Sequence, residues 1–178
     1  MKTARLVRLA ILIALSAAGA TLKIPSLTGT PALDSAPGYF AAFALGAPEG
    51  AAVAAAGHLL TALTAGFPLS IPIHLLIALG MAACAGAVAV MARRQGPWGA
   101  FAAGLVLNGV VFPALFVPLP GFGVAFFAAM VVPLLVASAL NLGLAVVAYE
   151  VIVRARVWIQ PPRAQAESTS RPDRGSRP

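Results

Sequence analysis

A small set of polar and aromatic side chains in an otherwise apolar chain could bind a ligand. The densest group lies in TPALDSAPGYFAAF, residues 30–43, where an acid and a hydroxyl stand between two prolines and precede two aromatic rings. Carboxylates and hydroxyls bond to groups such as the hydroxyls of a ribose, and aromatic rings offer a flat surface to a heteroaromatic ring. The prolines stiffen the loop, so less entropy is lost when it closes over a ligand. The candidate binding residues are Asp34, Ser35, Tyr39, Phe40, His58, Thr61, Phe67, His74, Asn108 and Asn141.

Each of these residues also has a structural interpretation. Asp34 could cap the helix that follows it. Asn108 and Asn141, which fall midway along apolar runs, could form hydrogen bonds between helices. His58 could bond to a carbonyl or a threonine, and His74 is expected near the outer surface, where its solvation costs little. The two sets of roles are compatible for Asp34.

Composition indicates an integral membrane protein. Hydrophobic residues make up 60% of the 178 residues and charged residues 10%, with a mean hydropathy of +0.93. A soluble domain would carry roughly a quarter charged residues. Several apolar runs reach the roughly 20 residues that cross a bilayer as a helix. The single cysteine, Cys84, excludes a disulfide within the chain.

Proline, glycine and charge divide the chain into segments. We predict an all-α membrane bundle of six helices, at about residues 6–24, 37–45, 51–65, 73–91, 98–117 and 124–153. The intervening breaks are the loop at 25–36, a turn at 46–50, GFPLSIP at 66–72, the segment at 92–97 and PLPGFG. Residues 1–158 form one binding domain in this interpretation. Residues 159–178, rich in Pro, Ser, Arg and Gly, are a disordered cytoplasmic tail.

The net charge of +7 is placed at helix ends, which argues against a nucleic-acid partner and for a fixed orientation. Cytoplasmic segments of membrane proteins carry an excess of Lys and Arg. We therefore predict a multi-pass protein of the plasma membrane with both termini in the cytoplasm and the 25–36 loop outside. The positive groups that set this orientation are Lys2, Arg5, Arg8, Arg93, Arg94, Arg154 and Arg156.

The N-terminal helix has two interpretations. Its positive start, apolar run and SAAGA segment resemble a cleavable signal peptide, whose removal would leave five spans. Against cleavage, Ala10, Ala14 and Ala18 are spaced four apart on one helical face, where small residues allow another helix to approach closely. We expect the helix to be retained and this face to dock a partner.

The chain lacks the sequence motifs of a protein that powers its own transport or catalyses a reaction. It has no phosphate-binding P-loop, no Gly-x-Ser-x-Gly and no Cys/His cluster with metal-ligand spacing. No carboxylate stands inside an apolar run where a proton-coupled carrier would use one. We therefore expect no enzymatic activity, no metal and no cofactor in this chain. A binding subunit driven by other proteins fits the pattern.

The motifs Asp-Ser-x-Pro-Gly, Gly-His-Leu-x-Thr-Ala and Gly-Phe-Pro-Leu-x-x-Pro-x-His occur together in residues 33–82. In these motifs the chain resembles the substrate-binding S components of energy-coupling factor (ECF) transporters, over about residues 5–155. It is most similar to those assigned to alpha-ribazole, a benzimidazole nucleoside from which cobalamin is rebuilt.

The resemblance implies specific partners and a site. The partners are a transmembrane coupling subunit, which would dock on Ala10, Ala14 and Ala18, and two ATPase subunits that use the ATP. We expect the ligand at the outer end of the bundle, beneath residues 30–40. It would touch Asp34, His58, Thr61 and one of the two asparagines. Alternatives are a different vitamin, a small autonomous carrier or a scaffold subunit, and an intramembrane enzyme is a remote one.

The orientation can be tested with single cysteines in a Cys84→Ala background. We expect an impermeant maleimide to label Ser26→Cys in intact cells and to label Gln95→Cys only after lysis, because the charge pattern places residue 26 outside. Labelling of Gln95→Cys but not Ser26→Cys in intact cells would overturn the orientation.

Overall fold

Helices make up most of the chain. The computed structural model describes the backbone of residues 2–159 and the side chains of residues 3–152. In this part there is no strand, only an isolated antiparallel bridge between Lys23 and Ala32, so the prediction of an all-α protein is confirmed. Except for Ile159, the tail lies outside the described residues. The elements are α1 (Lys2–Gly19), α2 (Ala36–Ala44), α3 (Ala47–Thr64), α4 (Ile71–Val106), a π-helical turn (Leu107–Val111), α5 (Phe112–Ala114) and α6 (Gly123–Ile159).

Within the part of the chain that the structure describes, two helical segments are long and apolar enough to cross a membrane. They are Ile71–Ala114 and Gly123–Ile152, with mean hydropathies of 2.4 and 2.3 in their most apolar windows. Only 33% and 17% of those windows is buried inside the protein. A core helix of a soluble protein would bury most of its apolar surface, whereas a helix in lipid leaves it outward. The six-span count remains a prediction.

The long helix α4 is a hairpin of two antiparallel arms. Gly96 has φ 75° and ψ 179°, a conformation that is easy for glycine, and Pro97 directly follows it. The arms pack so closely that a Cβ on Gly104 would lie 2.8 Å from Cγ2 of Val88. The chain therefore reverses within the predicted break at 92–97. Helical hydrogen bonding nevertheless continues on both sides of Gly96.

Two predicted boundaries differ from the structure. Helix α1 ends at Gly19, not near residue 24, because the chain turns there and pairs with itself. The amide of Ile24 donates to the carbonyl of Pro31 at 2.8 Å. At the other end of the bundle, α3 begins at Ala47, so most of the predicted 46–50 turn is helical. Pro48 suits this first turn because its missing N–H would have no partner there.

The two ends of the bundle differ in charge. At one end, Arg5 forms an ion pair with Glu49 at 2.8 Å. At this same end, Arg93 and Tyr149 border a cavity with the turn between α2 and α3. The opposite end carries the 20–35, 65–70 and 115–122 loops. The arrangement has the form that the predicted orientation requires. Which end faces the cytoplasm remains a prediction.

Glycine allows α2 and α3 to pack with their backbones in near contact. A Cβ on Gly50 would lie 2.6 Å from Cβ and 2.7 Å from Cα of Ala42. A Cβ on Gly38 would lie 2.9 Å from Cα of Ala54. Because backbone atoms on α2 cannot yield as a side chain can, this pair of helices tolerates no larger residue without separating.

Gly50→Ala should therefore destabilise the protein by about 1–3 kcal/mol, the usual cost of overpacking. Gly86→Ala is the matched control, since a Cβ there meets nothing within 4 Å, and alanine gains about 1 kcal/mol of helix propensity. Thermal unfolding in detergent measures both. Equal midpoints for the two variants would contradict this packing.

Candidate ligand-binding cavity

A cavity opens at the end of the bundle that carries the 20–35 loop. It contains about 700 Å³ of space not filled by atoms, open solvent at its mouth included. The loop covers one side, and α3, α4, the π-helical turn and α6 form the others. It is lined by Thr28, Thr30, Pro31, Ala32, Asp34, Ser35, His58, Leu69, Ile77, Met81, Asn108, Phe112, Pro113, Phe116, Phe126, Met130, Leu134, Ala137 and Asn141.

Asp34 is the acidic group of the polar wall. Its side chain is 4% exposed. One carboxylate oxygen accepts a hydrogen bond of 2.5 Å from Oγ1 of Thr61, and the other accepts one of 3.1 Å from Oγ of Ser35. Burial raises the pKa of this carboxyl above its ordinary 3.8, and the two hydroxyl bonds offset part of the shift. Both oxygens retain lone pairs for a ligand that donates.

Asn141 fastens the loop to α6. Its Oδ1 accepts bonds from the amides of Ser35 at 3.0 Å and Ala36 at 2.7 Å, and its Nδ2 donates to the carbonyls of Ala32 and Ala137 at 2.8 Å each. These are the first amides of α2, so Asn141 caps α2 across the bundle. The N-cap residue, Ser35, makes no side-chain cap bond. Asp34 does not cap α2, because its carboxylate bonds to the hydroxyls of Ser35 and Thr61 instead.

Two histidines form a relay that presents an N–H to the cavity. The amide of Leu69 donates to Nε2 of His74 at 3.4 Å, so that nitrogen carries no proton. Nδ1 of His74 then donates to Nε2 of His58 at 3.2 Å, which leaves the proton of neutral His58 on Nδ1. That Nδ1 has no partner among the described residues and is not sealed by protein. His58 can thus donate to an acceptor on a ligand.

Asn108 supplies an acceptor on the far side of the cavity. It lies in the π-helical turn, an irregularity that occurs frequently at functional sites. Its Nδ2 donates to Oγ of Ser138 at 2.8 Å, which fixes the carboxamide. Its Oδ1 bonds to no described group and is not sealed by protein, so it remains available to a donor on a ligand.

Aromatic rings form part of the cavity lining. Phe112 and Phe116 meet edge to face at 5.5 Å between ring centroids, and Phe126 lies 6.5 Å from Phe116. Phe122 braces this group from outside the lining, 4.8 Å from Phe126. Such a wall provides apolar area and ring edges for a flat heteroaromatic group.

The structure brings five of the predicted residues to the lining and leaves five elsewhere. Those on the lining are Asp34, Ser35, His58, Asn108 and Asn141. Thr61 and His74 do not reach the lining. Thr61 forms a hydrogen bond to Asp34, and His74 forms one to His58. Phe67 packs edge-on against His74 at 5.7 Å.

The two aromatic residues of α2 lie away from the cavity. Tyr39 is wholly buried, with its hydroxyl 3.7 Å from Sγ of Cys84. Phe40 borders a groove with Arg8 at the opposite end of the bundle. The helical turn of α2 carries these side chains past the cavity and into the bundle, so the expected aromatic surface comes from other helices.

Sequence reasoning missed the aromatic wall and two threonines. Phe112, Phe116 and Phe126 flank the predicted break PLPGFG at the same outer end as the 25–36 loop, and that shared position was the available signal. Thr28 and Thr30, whose hydroxyls lie 2.7 Å apart, give no sequence signal beyond being loop residues.

Comparison with known proteins gives one result. Residues 4–153 match the family model described as ECF transporter, substrate-specific component. No curated protein and no solved structure matches the chain.

Proposed function

The chain belongs to the family of substrate-specific components of ECF transporters, and on that premise we propose that it captures the vitamin precursor alpha-ribazole in the cavity beneath the 20–35 loop. Membership implies association with an ECF transmembrane component and ATPase components. The chain is a substrate-binding subunit of a membrane transporter. The two partner ATPases hydrolyse the ATP that drives the transporter, so this chain needs no catalytic group or cofactor of its own.

One observation carries the choice of ligand: hydrogen-bonding groups and a cluster of aromatic rings line the same cavity. The acceptors of Asp34 and Asn108 suit the hydroxyls of a ribose. The N–H of His58 suits the unsubstituted nitrogen of a benzimidazole, and the rings around Phe116 suit its flat face. A nucleoside with a benzimidazole base needs both kinds of surface.

The mouth of the cavity lies at the end of the bundle remote from Arg5 and Arg93. With the orientation predicted from charge, this mouth opens to the exterior of the plasma membrane. A multi-pass binding subunit in that orientation meets its ligand outside the cell. Energy for release to the cytoplasm then comes from the partners.

Binding is tested by calorimetric titration of the purified protein with alpha-ribazole. Asp34→Ala and Phe116→Ala should each weaken binding by about ten-fold to a hundred-fold, because each removes a ligand contact from a desolvated site. The matched control is Phe40→Ala, which removes the same ring at the opposite end of the bundle and should bind as the wild type does. Wild-type affinity in both cavity variants would rule out this site. No binding by the wild type would rule out this ligand.

The coupling subunit docks on the outward face of α1. Ala10, Ala14 and Ala18 are all exposed, while Leu12 and Ser16 on the other face are buried against the bundle. Small side chains at these three positions allow a partner helix to approach closely between the exposed side chains of Val7 and Ile11. The face is therefore free in the isolated chain.

Ala14→Trp should reduce co-purification with the coupling complex by about ten-fold or more, since a bulky ring holds the helices apart, and should leave alpha-ribazole binding unchanged. Ala83→Trp, at an exposed position on α4, is the matched control and should co-purify normally. If Ala14→Trp co-purifies and supports uptake as the wild type does, the docking face lies elsewhere.

A further inference from the structure

The ionisable groups on the lining of the cavity are unevenly divided between acids and bases. Asp34 is the acidic residue of its lining, and His58 is the titratable nitrogen base. Among the described residues that line it there is no Lys or Arg. Lys23, whose charge acts on Asp34 from the same loop, is exposed and stands outside the lining.

His58 does not supply a positive charge to the cavity. His58 and His74 share one N···N hydrogen bond of 3.2 Å, which requires at least one unprotonated ring. The amide of Leu69 donates to the far nitrogen of His74, so the pattern accounts for both rings as neutral. His58 therefore offers a dipolar N–H rather than a full positive charge.

An anionic ligand would meet two obstacles in this cavity. A phosphate or carboxylate gives up strong hydration on entry, and that loss is recovered in proteins chiefly by Arg, Lys or several amide donors. Here it would also approach the Asp34 carboxyl, and like charges placed together in an interface are strongly disfavoured. The amides of Ser35 and Ala36, which begin α2, are already bonded to Asn141 and are not free to bind it.

We propose that Asp34 acts as a charge filter: the cavity takes the unphosphorylated, uncharged form of a nucleoside-like compound and rejects its phosphate ester. This inference rests on the proposed function for the location of the site but not for the identity of the ligand. The carboxylate of Asp34 has two effects on binding. It accepts from hydroxyls of the neutral ligand, and it repels an anion at the same position.

The first experiment compares alpha-ribazole with alpha-ribazole 5′-phosphate in calorimetric titrations of the full-length protein. The wild type should bind the phosphate at least about 100-fold more weakly. Asp34→Asn removes the charge but keeps a hydrogen-bonding group of the same size, and should shrink that ratio by about ten-fold or more, whatever happens to the absolute affinity. A phosphate that binds within ten-fold of the nucleoside overturns the filter.

Thr61→Val is the matched control for loss of order around Asp34. It removes the 2.5 Å hydrogen bond to the carboxylate but leaves the charge in place. Affinity for the nucleoside should fall in this variant, while the ratio between nucleoside and phosphate should stay near the wild-type value. If Thr61→Val lowers the ratio as much as Asp34→Asn does, the discrimination comes from loop structure and not from charge.

A second experiment separates failure of the ligand from failure of the filter. Thermal shifts of the wild type are recorded with paired compounds, each as the free and the phosphorylated form: adenosine and AMP, and riboflavin and FMN. Stabilisation by a free member alone supports the filter even if alpha-ribazole does not bind. Stabilisation by a phosphorylated member, or by no free member of any pair including alpha-ribazole, overturns it.

Discussion

The site depends on one side chain, Asn141, which joins three parts of the chain that are distant in sequence. Its carboxamide uses both N–H groups and both lone pairs, binding the loop at Ala32, the start of α2 and the preceding turn of α6. Two of the bonds satisfy amides at a helix N-terminus, which otherwise lack a partner. In an apolar surrounding an amide without a hydrogen-bond partner costs roughly 2–7 kcal/mol. Hydrogen bonds to Asn141 therefore hold the loop in its position over the cavity.

Around this clamp the polar groups fall into two kinds, those committed to the protein and those left for a ligand. Asn141 and Thr61 are fully used in holding Asp34 and its loop. The Oδ1 of Asn108 and the Nδ1 of His58 are held in place by bonds on their other atoms and face open space. This division gives a preorganised site, in which little freedom remains to be lost when a ligand binds. Among the described buried side chains, Ser16 is the one whose hydroxyl has no partner; it lies on α1 against Gly57, away from the lining.

Close packing of small residues is the second feature on which function depends. Gly50 and Gly38 bring α2 against α3, and Asn141 caps the start of α2, where the loop that carries Asp34 ends. The same kind of residue faces outward on α1, where Ala14 and its neighbours are exposed. Small residues thus serve inside the bundle to fix the helices that position Asp34, and those exposed on α1 are the residues on which we propose that the partner docks.

The sequence by itself determined the features that depend on local chemistry: the helical class, the reversal near Gly96, the segregation of Arg to one end and the loop that brings Asp34 and Ser35 to a site. Apolar run length, glycine and proline set these, and each acts within a few residues of where it stands. Only the tertiary structure decided which side chains share a cavity. Tyr39 and Phe40 follow Asp34 directly in sequence yet point away from it, because a helix turns successive side chains to different faces. Phe112, Phe116 and Phe126 reach the lining because α4 folds back on itself and α6 packs beside it. The roles of Asn141 and of the histidine pair were equally invisible in the sequence, since a hydrogen bond between residues so far apart in the chain exists only once the helices have packed.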